Sequence, residues 1–172
     1  MAILAALSSG VSPAQIGRRA PGFSLPDVKG TEHDLEDYRG KIVILEVMRS
    51  DCPHCAAFAK TLEEIKTQYG GKVAVLAIAN PPDNQSTITR FIDTMKVSYP
   101  VLFDCGQVVY SYILPDPLHG PSVAIPHAYL IDGHGTIRGD WEYGTETGEI
   151  FQGRALYGEI DKLLGGKAAP QH

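Results

Sequence analysis

Long apolar runs, cysteine, tryptophan and excess positive charge are all scarce in this 172-residue chain. No apolar stretch approaches the roughly 20 residues that a membrane-spanning helix requires, which excludes a membrane bundle. Three cysteines are too few for a disulfide scaffold, and their odd number leaves at least one unpaired within a monomer. Fifteen Lys and Arg against twenty Asp and Glu give a net charge of -5. That balance argues against nucleic acid and anionic membrane as partners, because both demand clustered positive charge. The 18 glycines and 12 prolines form no low-complexity tract, which removes collagen and disordered tails. What remains is a globular composition, 44% hydrophobic and 20% charged. The length suits one domain of roughly 100–200 residues, long enough to bury a core without disulfide or metal.

The N-terminus carries an apolar run, Ala2 to Leu7, followed by the small residues Ser8, Ser9, Gly10, Ser12 and Ala14. No Lys or Arg precedes the run, and it is shorter than an ordinary signal core. Residues 1–19 are therefore expected to be either a trimmed export signal or anchor, or a helix packing on the domain. Residues 20–165 form the expected domain and 166–172 a tail. The export reading carries an extracytoplasmic location, with the cytoplasm as the alternative.

Hydrophobic periodicity divides the domain. Short apolar pieces among Pro26, Gly30 and acidic residues predict an entering hairpin between Phe23 and Asp37. Ile42–Met48 (IVILEVM) reads as a central strand buried on both faces. Cys55, Phe58, Leu62, Ile65 and Tyr69 then recur at spacings of three and four, one face of a helix. Pro53 suits its first turn, and Gly70–Gly71 ends it. Lys72 to Ala79 reads as a second buried strand and Asn84 to Lys96 as a helix. Val101–Phe103 is a short strand, Gly106 to Ile113 a short helix, and the proline-rich Leu114–Val123 stretch a loop. His127–Ile131, the DGHG turn and Thr136 to Tyr143 make an antiparallel pair, with Trp141 and Tyr143 on the core or sheet face. Glu149 to Leu164 closes the chain as one helix. The class is α/β, with a mixed sheet flanked by helices.

Cys52-Pro53-His54-Cys55 lies where a buried strand turns into a helix. By itself such a spacing fits half a zinc site, a structural disulfide, a redox pair or two idle thiols. Zinc needs more ligands than one C-x-x-C supplies, and Cys105 and the six histidines offer no convincing spacing, so no metal is expected. The redox reading has a mechanism. A helix N-terminus stabilises a thiolate at Cys52, and Cys55, one turn inward, resolves the mixed disulfide. Protonated His54 adds positive charge beside the thiolate, whereas Asp51 opposes it. Glu46 is the only charge inside IVILEVM. It reads either as an idle group on an exposed strand edge or as the proton acceptor for Cys55.

These residues resemble the thioredoxin-like superfamily, and within it the extracytoplasmic redoxins of the TlpA/ResA type. The opening APGFSLPDVKGTEHDLEDYRGKIVIL, the C-x-x-C after the first core strand, and Ile125-Pro126 before HAYLIDGHG carry the likeness, which spans roughly Ala20 to Leu164. The resemblance implies a thioredoxin fold with an N-terminal hairpin extension. It implies Cys52 as nucleophile, Cys55 as resolving thiol and Glu46 as the buried acid. Ile125 and a cis Pro126, with Pro53 beside them, then form the surface that docks an extended partner segment. Asp51 stands where the family carries Trp, and Met48-Arg49 where it carries an aromatic. The Pro-His dipeptide resembles the oxidases of the DsbA type. Thioredoxin and DsbA differ by about 150 mV, roughly 7 kcal/mol for two electrons, so the direction of electron flow stays open.

The expected function is thiol–disulfide exchange with protein partners, using the redox-active disulfide and no other cofactor. A monomer is expected, with a dimer left open. Three alternatives remain. A peroxiredoxin shares the fold, but the residues before Cys52 lack its P-x-x-x-T-x-x-C context. A Sco-like copper carrier would use the cysteine pair and His127. A binding module would keep the disulfide for structure alone. Cys105 reads as a buried or half-buried free thiol, and His33, His119, His134 and His172 as solvated loop or tail residues.

Overall fold

The computed structural model describes residues 16–104, 106–113 and 124–165. The apolar N-terminal run, Cys105, the Leu114–Val123 loop and the C-terminal tail, with His119 and His172, lie outside the described residues. The described chain enters through an antiparallel hairpin of β1 (Ser24–Pro26) and β2 (Glu32–Asp34). Its turn is closed by the Asp27 carboxylate, which accepts the N–H groups of Lys29 and Thr31 at 2.8 and 2.9 Å. Gly30 supplies the positive φ of 77° that the reversal needs.

The main sheet has five strands. In chain order they are β3 (Ile42–Met48), β4 (Val73–Ala79), β5 (Val101–Phe103), β6 (His127–Ile131) and β7 (Ile137–Glu142). Their spatial order is β5-β4-β3-β6-β7. The pairs β3–β4 and β4–β5 are parallel, while β3–β6 and β6–β7 are antiparallel. The helices are α1 (Pro53–Tyr69), α2 (Gln85–Met95), α3 (Gln107–Tyr112), α4 (Gly148–Phe151) and α5 (Arg154–Leu163).

Strand β3 is buried along its whole length, because it is central and covered on both faces. Its alternate residues feed two cores. Ile42, Ile44 and Met48 join β4 residues Val73, Val75 and Ala77, Cys55, Phe58, Leu62 and Ile65 of α1, Ile88 and Phe91 of α2, and Leu156 and Ile160 of α5. Val43, Leu45 and Val47 join Phe23, Leu35, Tyr129, Ile137 and the α3 residues Val109 and Tyr112. Complete burial of each large aliphatic or aromatic side chain contributes about 1.5–3 kcal/mol. At the sheet edge, the Gly17 N–H donates to the Ile137 carbonyl at 2.8 Å, and the Ile137 N–H donates to the Arg18 carbonyl at 2.9 Å.

Several predicted elements shift at their ends for local reasons. Asn84 is the cap of α2 rather than its first residue: its side chain accepts from Ser86 and Thr87, and the Thr87 hydroxyl accepts from the Asn84 N–H. Lys96 ends α2 in the left-handed region at φ 58°. Gly106, at φ 96°, precedes α3 rather than belonging to it. The one larger correction concerns the C-terminal helix, which is two helices broken at Gly153. Gly153 has a φ of 90°, incompatible with a continuous helix, and a Cβ there would stand 2.8 Å from Thr61 Cγ2 of α1. The positive φ and the close approach of the Thr61 side chain decide the break.

Candidate functional site

Cys52 is the N-cap of α1, with extended backbone (φ -88°, ψ 116°). Its sulfur takes the place of the usual capping oxygen and accepts the Cys55 N–H at 3.3 Å. Pro53 occupies the first turn, where its missing N–H leaves no bond unmade. Cys52 is half-buried and Cys55 fully buried, and both are free thiols. Three residues of helix rise therefore separate a sulfur that solvent reaches from one that it does not.

Facing Cys52 is the loop that enters β6. The Ile125–Pro126 peptide bond is cis, and the Ile125 carbonyl oxygen accepts the Cys52 thiol at 3.9 Å. The Pro126 carbonyl is in turn held by the Tyr143 N–H at 3.0 Å.

Glu46 lies under α1, on the same face of β3 as Ile44 and Met48. It is 1% exposed, so the exposed-edge reading is overturned: β3 is the central strand. Its neighbours in register are Ala77 of β4 and Ala128 of β6, small residues that bring no cation. Glu46 Oε1 has no hydrogen-bond partner among the described residues. Burial pushes its carboxyl well above the usual carboxylate range, and the nearby Cys52 adds to the shift. Burial likewise pushes the Cys55 thiol far up, with Glu46 and the hydrogen bond to Cys52 adding to it and the Arg49 backbone opposing. The Tyr99 hydroxyl, buried in the same core and without a hydrogen-bond partner among the described residues, is raised by burial and then by Glu46, Glu63 and Cys55.

The segment before Cys52 is fastened from two sides. Asp83 accepts the Ser50 N–H at 2.7 Å, bonds the Ser50 hydroxyl, and accepts the Thr87 hydroxyl at 2.9 Å. Arg49 pairs with Asp51 at 2.5 Å, which offsets the negative charge next to Cys52. His54 is exposed on the first turn of α1, and its ring stacks on Tyr143 with centroids 4.1 Å apart and planes at 22°. Tyr143 meets Phe151 edge-on at 5.5 Å, and Phe151 meets Phe58 edge-on at 4.9 Å.

The structure thus brings Cys52, Cys55, Glu46, His54, Pro53, Ile125 and Pro126 to one end of the sheet. Sequence reasoning missed Tyr143, Tyr99 and Asp83. Tyr143, read as core or sheet face, is half-buried one residue past the end of β7, and nothing in the local pattern marks its contact with a residue 89 positions earlier. His127 belongs elsewhere. It shares the other face with Tyr129, on which it stacks at 4.6 Å, and its Nε2 meets Asp140 at 2.6 Å. Among the described residues no group of three or more His, Cys, Asp or Glu converges as metal ligands. No helix among them is long and apolar enough to cross a membrane.

Comparison with known proteins follows the same lines. The AhpC/TSA family model matches residues 16–139. The thioredoxin-like protein YneN of Bacillus subtilis is 28% identical over 77% of this chain and 74% of its own length. The thiol-disulfide oxidoreductase ResA of Geobacillus kaustophilus is 29% identical over 72% of this chain and 67% of its own. In fold, the thioredoxin domain of a thiol-disulfide oxidoreductase from Bacteroides vulgatus superposes with a TM-score of 0.68 at 19% identity, covering 84% of this chain and 97% of that one. The chain is similar to thioredoxin-like and ResA proteins, and it belongs to the AhpC/TSA family.

Proposed function

We propose that this protein exchanges a Cys52–Cys55 disulfide with the cysteines of partner proteins. The observation that carries the reading is the asymmetry of the pair. Cys52 caps a helix in partial contact with solvent, while Cys55 sits behind it, buried above Glu46. In the reducing direction the Cys52 thiolate attacks one sulfur of a partner disulfide. A Cys52–partner disulfide forms, and the partner's other sulfur leaves as a thiolate. With Cys52 now neutral, Glu46 releases its proton to solvent, takes the proton of Cys55, and the Cys55 thiolate attacks Cys52. The Cys52–Cys55 disulfide forms, and the partner leaves with both cysteines reduced. The oxidising direction is the reverse sequence.

Each remaining residue has a part in this reading. Pro53 starts the helix that presents Cys52, and His54 places positive charge beside the thiolate when protonated. Ile125 and Pro126 offer backbone to an extended partner segment. The disulfide is the only redox cofactor required. The resemblance to extracytoplasmic redoxins and the apolar N-terminal run support an extracytoplasmic site of action.

The test is the reduction potential of the pair, by equilibration with dithiothreitol and glutathione buffers, with Cys52→Ser as control. A value at or below roughly -250 mV makes the protein a reductant, and one near about -120 to -180 mV an oxidant or isomerase. Absence of any Cys52-dependent transition overturns the exchange reading, and stoichiometric copper binding is then the next measurement.

A further inference from the structure

We propose that Tyr143 sets the redox poise of the cysteine pair by fixing the ring of His54, two positions after Cys52 on the first turn of α1. This rests on the exchange reading above and assigns a positioning residue to the same site. His54 sits on the first turn of a helix, where a cation meets the positive end of the helix dipole and is disfavoured. It is exposed and makes no side-chain hydrogen bond among the described residues, and its ring is held by the contact with Tyr143. That contact is a stack at 4.1 Å, the geometry in which an aromatic face attracts an imidazolium.

Tyr143 is itself immobilised at both ends. Its N–H holds the Pro126 carbonyl at 3.0 Å, and its ring packs edge-on against Phe151 at 5.5 Å. Phe151 packs against Phe58, which is fully buried and follows His54 by four residues on α1. His54 and Phe58 lie on one side of that helix at i, i+4, so the four rings form a ladder from solvent into the core. The ladder ties the dipeptide between the cysteines to the loop that faces Cys52. An imidazolium held there stabilises the Cys52 thiolate, and hence the reduced pair, relative to one that wanders. Losing the stack therefore makes the couple more reducing.

The experiment is a double-mutant cycle read as the equilibrium constant with glutathione, on the full chain, repeated across a pH series. Tyr143→Met keeps bulk and removes the aromatic face, Tyr143→Phe keeps the face, and His54→Ala removes the cation. Tyr143→Met is expected to shift the constant about two- to fivefold toward the disulfide form, the range of one cation–aromatic contact. At about 29.6 mV per tenfold this is roughly 9 to 21 mV more negative. Tyr143→Phe is expected to match the parent, and Tyr143→Met on the His54→Ala background to add no shift. The proposal is overturned by an equal shift on that background, by a Tyr143→Phe shift as large as the Met one, or by no shift at all. His54→Ala alters only an exposed side chain. If it leaves the constant unchanged the proposal also falls, whatever the folding of the Tyr143 variants. A parent protein with no Cys52-dependent transition sinks the exchange reading itself, whereas a normal transition without coupling sinks only this inference.

Discussion

Replacing Glu46 by Gln isolates a buried titration in stability measurements. In the folded chain the carboxyl is fully enclosed, flanked by Ala77 and Ala128, and its Oε1 lacks a partner among the described residues. It therefore keeps its proton well above 4.5, the value expected of the unfolded chain. Over that window the folded state binds one proton more than the unfolded state, so stability falls as pH rises. The loss runs at about 1.4 kcal/mol for each pH unit and ends where folded Glu46 ionises. Gln carries no such proton. The stability of Glu46→Gln minus that of the parent should thus grow by about 1.4 kcal/mol per pH unit from near 4.5 upward, then level off.

Urea unfolding at half-unit intervals from pH 5 to 8 measures this difference. The single tryptophan, Trp141, serves as the fluorescent probe on β7. All other titrating groups are common to both chains and cancel in the difference. An amide N–H without an acceptor would displace the Gln curve by a constant, so the slope rather than the offset carries the argument. A pH-independent difference over the whole range would refute it, since Glu46 would then ionise as a solvated carboxylate does. Where the difference levels off, it reports the folded-state titration of Glu46 directly.

Three further outcomes follow from the geometry. Cys55→Ser removes the resolving thiol, so a mixed disulfide between Cys52 and a substrate protein should accumulate; non-reducing electrophoresis and mass spectrometry read it, and its absence would deny Cys52 the attacking role. Asp83→Ala leaves the Ser50 N–H without its 2.7 Å acceptor; it should cost about 1–3 kcal/mol in chemical denaturation and slow Cys52 alkylation, with Asp83→Asn losing less. Gly153→Ala puts a Cβ at φ 90° and 2.8 Å from Thr61 Cγ2; the expected cost is about 1–3 kcal/mol, seen as a fall in melting temperature of roughly 2–4 °C per kcal/mol.

The strands and α1 were legible because burial imposes period on sequence. IVILEVM, covered on both faces, has no room for polar alternation, and its single charge stood out for the same reason. The change from that run to a spacing of three and four placed Cys52 at a helix start, and the resemblance supplied Pro126 as its neighbour. What escaped was set by tertiary contact. The register that puts Ala77 and Ala128 beside Glu46 depends on strand order, which periodicity does not encode. Asp83 reaches Ser50 across 33 positions and Tyr143 reaches His54 across 89, and no local pattern marks either. Gly153 did carry a signal, a glycine inside a helical pattern. Its meaning came only from the neighbouring helix that its missing side chain admits.

The site's electrostatics also order the steps of the proposed exchange. Cys52 is among the causes that raise both Glu46 and Cys55. As long as Cys52 carries a free thiolate, a proton on Glu46 and a proton on Cys55 are both favoured, and the buried thiol stays silent. Forming the mixed disulfide converts Cys52 to a neutral sulfur and removes that charge. Glu46 is then easier to ionise, and so is Cys55, at the moment when Cys55 has a disulfide to attack. Burial raises both groups, so Glu46 must first release its own proton to solvent before its carboxylate can take the proton of Cys55. Cys52 therefore acts first because it caps the helix near solvent, and Cys55 second because the first step removes one of the charges that restrained it.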